Sequence, residues 1–88
     1  MKQKEGFVLR TVCGENVIVG EGLATNIGKL ISLNETATWL WKKCAELGEF
    51  TDEQLADALC AEYEVSPEQA MSDVEATIAS WREAGVIE

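Results

Sequence analysis

The chain has 88 residues, 7 basic against 16 acidic, no histidine and a formal net charge of −9. Its length suits one small domain burying roughly 60–65% of the surface its unfolded form exposes, and a 47% hydrophobic share excludes a disordered chain. The charge opposes phosphate backbones, and the missing imidazole excludes Ser-His, Cys-His and His-ligated metal chemistry.

The three cysteines, Cys13, Cys44 and Cys60, are odd in number and form no CxxC. That pattern predicts reduced thiols acting as small apolar side chains in a cytoplasmic protein. The apolar run Phe7-Val8-Leu9 is broken by Arg10, too soon for a signal segment. No stretch approaches the ~20 apolar residues that cross a bilayer. Neither a nucleic-acid nor a membrane partner is expected.

Phe7 to Val12 is rich in β-branched and aromatic residues and predicts a first strand. Cys13-Gly14-Glu15-Asn16 is a turn, and Asn16 to Val19 a second strand, giving an antiparallel hairpin. Gly20-Glu21-Gly22 marks a break, and Leu23 to Gly28 reads as a loop. Lys29 to Leu33 predicts a third strand. In it Leu30 and Ser32 face one way, and Lys29, Ile31 and Leu33 the other.

Helix chemistry follows. Asn34, or Ser32 with Glu35 three residues on, caps a first helix with the stripe Ala37, Leu40, Trp41, Cys44 and Leu47, and Gly48 stops it. Thr51-Asp52-Glu53-Gln54 is a capping box opening a second, with the stripe Leu55, Ala56, Leu59, Cys60 and Tyr63. Ser66-Pro67-Glu68-Gln69 opens a third, with Ala70, Val74, Thr77, Ile78 and Trp81 inward. Gly85 stops it, and Val86-Ile87 can fold back on the core. The expected fold is α+β: a three-stranded antiparallel sheet followed by three helices, in one domain over residues 1–88. Trp41 lies within the first helix's stripe, whereas Trp39 lies more than a quarter turn off it.

Little in the sequence carries catalytic chemistry. Gly20-Glu21-Gly22 is not a phosphate loop. Asp73 with Glu75, or Glu62 with Glu64, fit solvated helix faces better than an acid–base pair. No enzyme, cofactor or metal site is expected.

The run Gly28-Lys29-Leu30-Ile31-Ser32-Leu33-Asn34-Glu35-Thr36-Ala37-Thr38-Trp39-Leu40-Trp41 resembles the Leu-Asn-x-Thr-x-x-x-Leu-Trp region of the coenzyme PQQ synthesis protein D (PqqD) family. Phe50-Thr51 through Leu59, Asp73-Val74 and Gly85-Val86-Ile87 are similar to later parts of the same pattern. The likeness covers about residues 5–88. Ala37 and Thr38 depart from it where many members carry Gly, and Trp39 is a further departure.

The resemblance implies a winged helix-turn-helix-like fold and a non-catalytic role. Such domains recognise the leader segment of a ribosomally made precursor peptide and present it to a modifying enzyme, often a radical S-adenosylmethionine (SAM) protein. It implies that the peptide adds to the third strand, here Gly28, Lys29, Leu30, Ile31, Ser32 and Leu33. The third helix would line the groove through Asp73, Val74, Thr77, Ile78 and Trp81. Of these, Val74 and Ile78 suit a core better than a groove. Proline at Ile31 is expected to abolish peptide binding, because it removes a backbone donor from the docking edge. An open third strand also allows pairing with a second copy. The alternatives are a winged-helix DNA-binding regulator, which the acidic third helix disfavours, and a generic protein–protein adaptor.

Overall fold

The computed structural model describes residues 1–20 and 30–88, with Leu30 described in its backbone only. The expected loop, and with it Gly28 and Lys29, lies outside the described residues. The elements are β1 (Phe7–Val12), β2 (Glu15–Gly20), β3 (Leu30–Leu33), α1 (Glu35–Leu47), α2 (Asp52–Glu62) and α3 (Pro67–Ala84). The antiparallel sheet has the order β1-β2-β3. This is the α+β arrangement expected from the sequence.

A two-residue turn joins β1 to β2. Cys13 and Gly14 take φ of 53° and 81°, the doubly positive pattern of a type I′ turn. That turn fixes the register, with Val12 opposite Glu15 and Leu9 opposite Ile18. Ile18 in turn lies opposite Ile31 on β3. Opposed residues share a face. Leu9, Ile18 and Ile31 therefore form one cross-strand row on the core side. The neighbouring row, Arg10–Val17–Ser32, points to the other side.

The helices begin where side chains satisfy backbone donors. Asn34 rather than Ser32 caps α1, its Oδ1 accepting from Ala37 N at 2.8 Å. The capping box of α2 is complete: Thr51 Oγ1 accepts from Gln54 N, and Gln54 Oε1 from Thr51 N. Ser66 Oγ accepts from Gln69 N. Gln69's own side chain turns forward to Asp73 instead of closing a second box. Each such cap contributes about 1 kcal/mol.

The core joins Ile18 to Leu40, Trp41 and Cys44 of α1, Leu55 and Leu59 of α2, and Ala70, Val74, Ile78 and Trp81 of α3, closed by Val86 and Ile87. Four positions differ from the stripe reading. Leu47, expected inside, is 38% exposed. Phe50 and Thr38, not on a stripe, are buried. Thr38 tolerates burial because its Oγ1 donates to Asn34 O at 2.8 Å. Val17 is buried although its row points away from the helices.

A second ladder escaped the sequence reading. Lys2 and Glu88 exchange two backbone hydrogen bonds of 2.8 Å, and Lys4 N donates to Val86 O. On the other side Lys2 bridges Glu49, and Phe50 N donates to Met1 O at 2.7 Å. Residues 1–4 thus lie between residues 49–50 and 86–88.

Candidate functional site

Among the described residues, strand β3 pairs with β2 on one side only, so its other edge lies open in the sheet. Beside it runs α3. The helix buries Ala70, Val74, Ile78 and Trp81. The strip next to that stripe, Asp73, Ala76, Thr77 and Ser80, follows the three- and four-residue steps of one helix face. It is turned toward β3.

A hollow of about 240 Å³ lies between them. Ile31, Ser32 and Leu33 form one wall; Ala76, Thr77, Ser80 and Trp81 form the other; Asn34 and Ala37 close the end. None of the described lining residues carries a charge. A second hollow of about 280 Å³ shares Asn34, Ala76 and Thr77 with the first and adds Thr36 and Asp73. The two adjoin as one groove, uncharged at one end and holding a carboxylate at the other.

The polar side chains are held in place. Thr77 Oγ1 donates to Asp73 O at 2.9 Å, which leaves its methyl free to face the groove. Asp73 Oδ1 accepts from Gln69 Nε2 at 2.8 Å. Trp81 is nearly buried and forms the hydrophobic floor. Its ring meets Trp41 edge to face, with centroids 5.2 Å apart and planes at 85°.

Of the residues singled out in the sequence, the structure brings Ile31, Ser32, Leu33, Thr77 and Trp81 into the first hollow, with Asp73 in the second. Leu30 contributes its backbone to β3. Val74 and Ile78 lie in the core and line neither hollow. Asn34, Thr36, Ala37, Ala76 and Ser80 were not anticipated. The two α3 residues among them stand three residues after Asp73 and Thr77 respectively, but as small residues they give no signal in the sequence.

Trp39 lies elsewhere. It packs edge to face on Tyr63, with centroids 5.8 Å apart, and both are half-buried. They line another hollow, of about 540 Å³ under the β1–β2 turn, which shares Ser32 and Leu33 with the first and has Glu15, Glu35 and Lys42 at its rim. The third cluster of interest, the thiols, is dispersed. Cys13 is exposed, Cys60 half-buried and Cys44 buried, all free. Burial pushes the Cys44 thiol up from 9.0 to about 12, which keeps it protonated and unreactive at neutral pH. Among the described residues, no three Cys, Asp or Glu side chains converge as metal ligands do. No described helix is long and apolar enough to cross a membrane.

Two solved structures are similar to this chain. One is TbiB1 in complex with the TbiA(beta) leader peptide, with a TM-score of 0.79 at 22% identity, covering 100% of this chain and 95% of that one. The other is a lasso peptide synthetase B1 complexed with the leader peptide, with a TM-score of 0.75 at 22% identity, covering 99% of this chain and 95% of that one. At that identity the likeness is one of fold. A search of curated proteins finds no match. The sequence pattern of the coenzyme PQQ synthesis protein D family matches residues 15–87. With β2, β3, all three helices and the β3–α3 groove inside that match, the chain belongs to the PqqD family.

Proposed function

We propose that this protein, as one domain over residues 1–88, binds the leader segment of a ribosomally made precursor peptide. The peptide adds as a fourth strand to β3 and lays alternate side chains in the groove against α3. The domain performs no chemistry itself. It presents the bound peptide to a modifying enzyme in the cytoplasm, with a radical SAM protein as the expected partner. One observation carries this reading: among the described residues, an open strand edge faces a helix across a groove whose β3 end is uncharged. An edge satisfies a peptide backbone of any sequence, and the groove supplies selectivity. Both similar folds are complexes with leader peptides, which supports the same class of ligand here.

Charge weighs against the DNA-binding alternative. The outward positions of α3 include Glu68, Glu75 and Glu83 against one Arg82, a balance that repels phosphates. A generic adaptor needs no groove beside a strand edge. The same edge offers pairing to a second copy, which a bound peptide would displace.

The test is selection of binders from a displayed library of random 20-residue peptides, followed by titration into isotope-labelled domain. The reading expects saturable binding with amide shifts concentrated in Leu30–Leu33 and the Asp73–Trp81 face. Binding confined to the Trp39–Tyr63 hollow would overturn it. So would salt-sensitive binding of duplex DNA in place of peptide.

A further inference from the structure

The hairpin turn determines which backbone groups of β3 stand open, although it is two strands away. In a two-residue type I′ hairpin, the residues flanking the turn exchange both of their backbone hydrogen bonds. Here those residues are Val12 and Glu15. Along an antiparallel strand, the N–H and C=O of successive residues point alternately to one neighbour and then the other. In β2, therefore, Glu15, Val17 and Val19 bond to β1, while Asn16 and Ile18 bond to β3. Asn16 lies opposite Leu33 and Ile18 opposite Ile31. Ile31 and Leu33 thus spend their backbone groups on β2.

Resting on the peptide-binding reading above, we infer that, among the described residues, the docking edge is keyed by the backbone of Leu30 and Ser32, so that a bound strand is read in one fixed two-residue frame. The side chains that enter the groove are those sharing the face of Ile31 and Leu33. Intervening side chains point to the outer face with Ser32. The hollow beside Ile31 is lined by Ala37, Ala76, Thr77, Ser80 and Trp81, and none of its described lining residues carries a charge. It therefore takes neutral side chains of apolar or small polar type. A charge there would lose its water without gaining a partner. A residue farther along, beside Asn34, meets the Asp73 carboxylate instead and can be basic.

This assignment changes which substitution tests the edge. Proline at Ile31 would remove a donor to β2 and damage the sheet. Proline at Ser32 removes a donor that faces outward, where edge strands tolerate it.

Two experiments decide the matter. In the free domain, amide exchange of Ser32 should be at least about tenfold faster than that of Ile31 and Leu33, since only the latter two are bonded. Slow Ser32 with fast Ile31 would overturn the frame, whether or not any peptide binds. With a library-selected peptide, Ser32→Pro should weaken binding about five- to tenfold, the loss of one backbone bond. An N-methyl scan of that peptide should show losses at every second residue, and it does not depend on Ser32→Pro folding. Uniform sensitivity along the peptide, or wild-type affinity in a folded Ser32→Pro, would refute the frame while leaving peptide binding intact. A library yielding no binder would count against the function, not against the exchange pattern.

Discussion

Helix α1 carries two tryptophans, two residues apart, and each meets a second aromatic ring edge to face. Trp41 meets Trp81 at 5.2 Å, and Trp39 meets Tyr63 at 5.8 Å. The geometry is nearly the same; the surroundings are not. Trp41 and Trp81 are both buried, and they tie α1 to α3 beneath the groove. Trp39 and Tyr63 are half-buried at the end of α2, beside the hollow under the hairpin turn. An aromatic pair adds about 0.5–1.5 kcal/mol beyond its area burial. The remainder depends on how much water each ring excludes, so the inner pair should dominate stability and the outer pair should be dispensable.

The largest expected effect is at the inner pair. Trp81→Ala should destabilise the domain by roughly 3–5 kcal/mol, read from urea unfolding, because it leaves a cavity between α1 and α3. Trp81→Phe should recover a good part of that. If Trp39→Ala costs as much as Trp81→Ala, the contrast between the pairs fails.

Next in size is Thr77→Glu. It places a carboxylate on the groove wall next to Asp73. Binding of a selected peptide with neutral anchors should weaken by about 1–3 kcal/mol, with folding largely retained. Unchanged affinity in a calorimetric titration would move the site away from this wall.

Alkaline stability comes third. Below pH 9 the Cys44 thiol is protonated in folded and unfolded chains alike. Between 9 and about 12 the unfolded thiol ionises while the buried one does not. The folded state then holds more protons, so stability falls as pH rises, by up to about 1.4 kcal/mol per pH unit from this group. The difference between wild type and Cys44→Ala across that window isolates the thiol from other groups. A pH-independent difference would contradict its burial.

The smallest effect is expected at the outer pair. Trp39→Ala should cost about 1 kcal/mol of stability and leave peptide affinity unchanged. A tenfold loss of affinity would make the Trp39–Tyr63 hollow part of the binding surface.

Local chemistry explains what the sequence made legible. Asn34, Thr51 with Gln54, and Ser66 with Pro67 each mark a helix start, because unsatisfied N–H groups need a nearby oxygen. Gly48 and Gly85 mark two stops, each with positive φ. The groove was legible only in part. Thr77 and Trp81 stand out by residue type and position, whereas Ala76 and Ser80 are small residues that give no signal until β3 is placed opposite them. Leu47 sits on the right stripe but at the last turn of α1, beyond the reach of the core. Phe50 is buried through pairing with Met1, a contact across 49 residues that no local window contains. Helix periodicity therefore sets the stripe, but tertiary reach decides how far along it burial extends.

The ladder formed by residues 2–4 and 86–88 has one further consequence. Residues 2 and 88 sit side by side as a bonded pair, with Lys2 Nζ and Glu88 Oε1 3.4 Å apart. The polypeptide therefore enters and leaves the domain at one point, on the side formed with residues 49–50. A short linker joining residue 88 to residue 1, with a new opening between Cys13 and Gly14, should give a circular permutant with the same sheet order and groove. For the same reason the domain can be spliced into a surface loop of another protein without prising that loop apart.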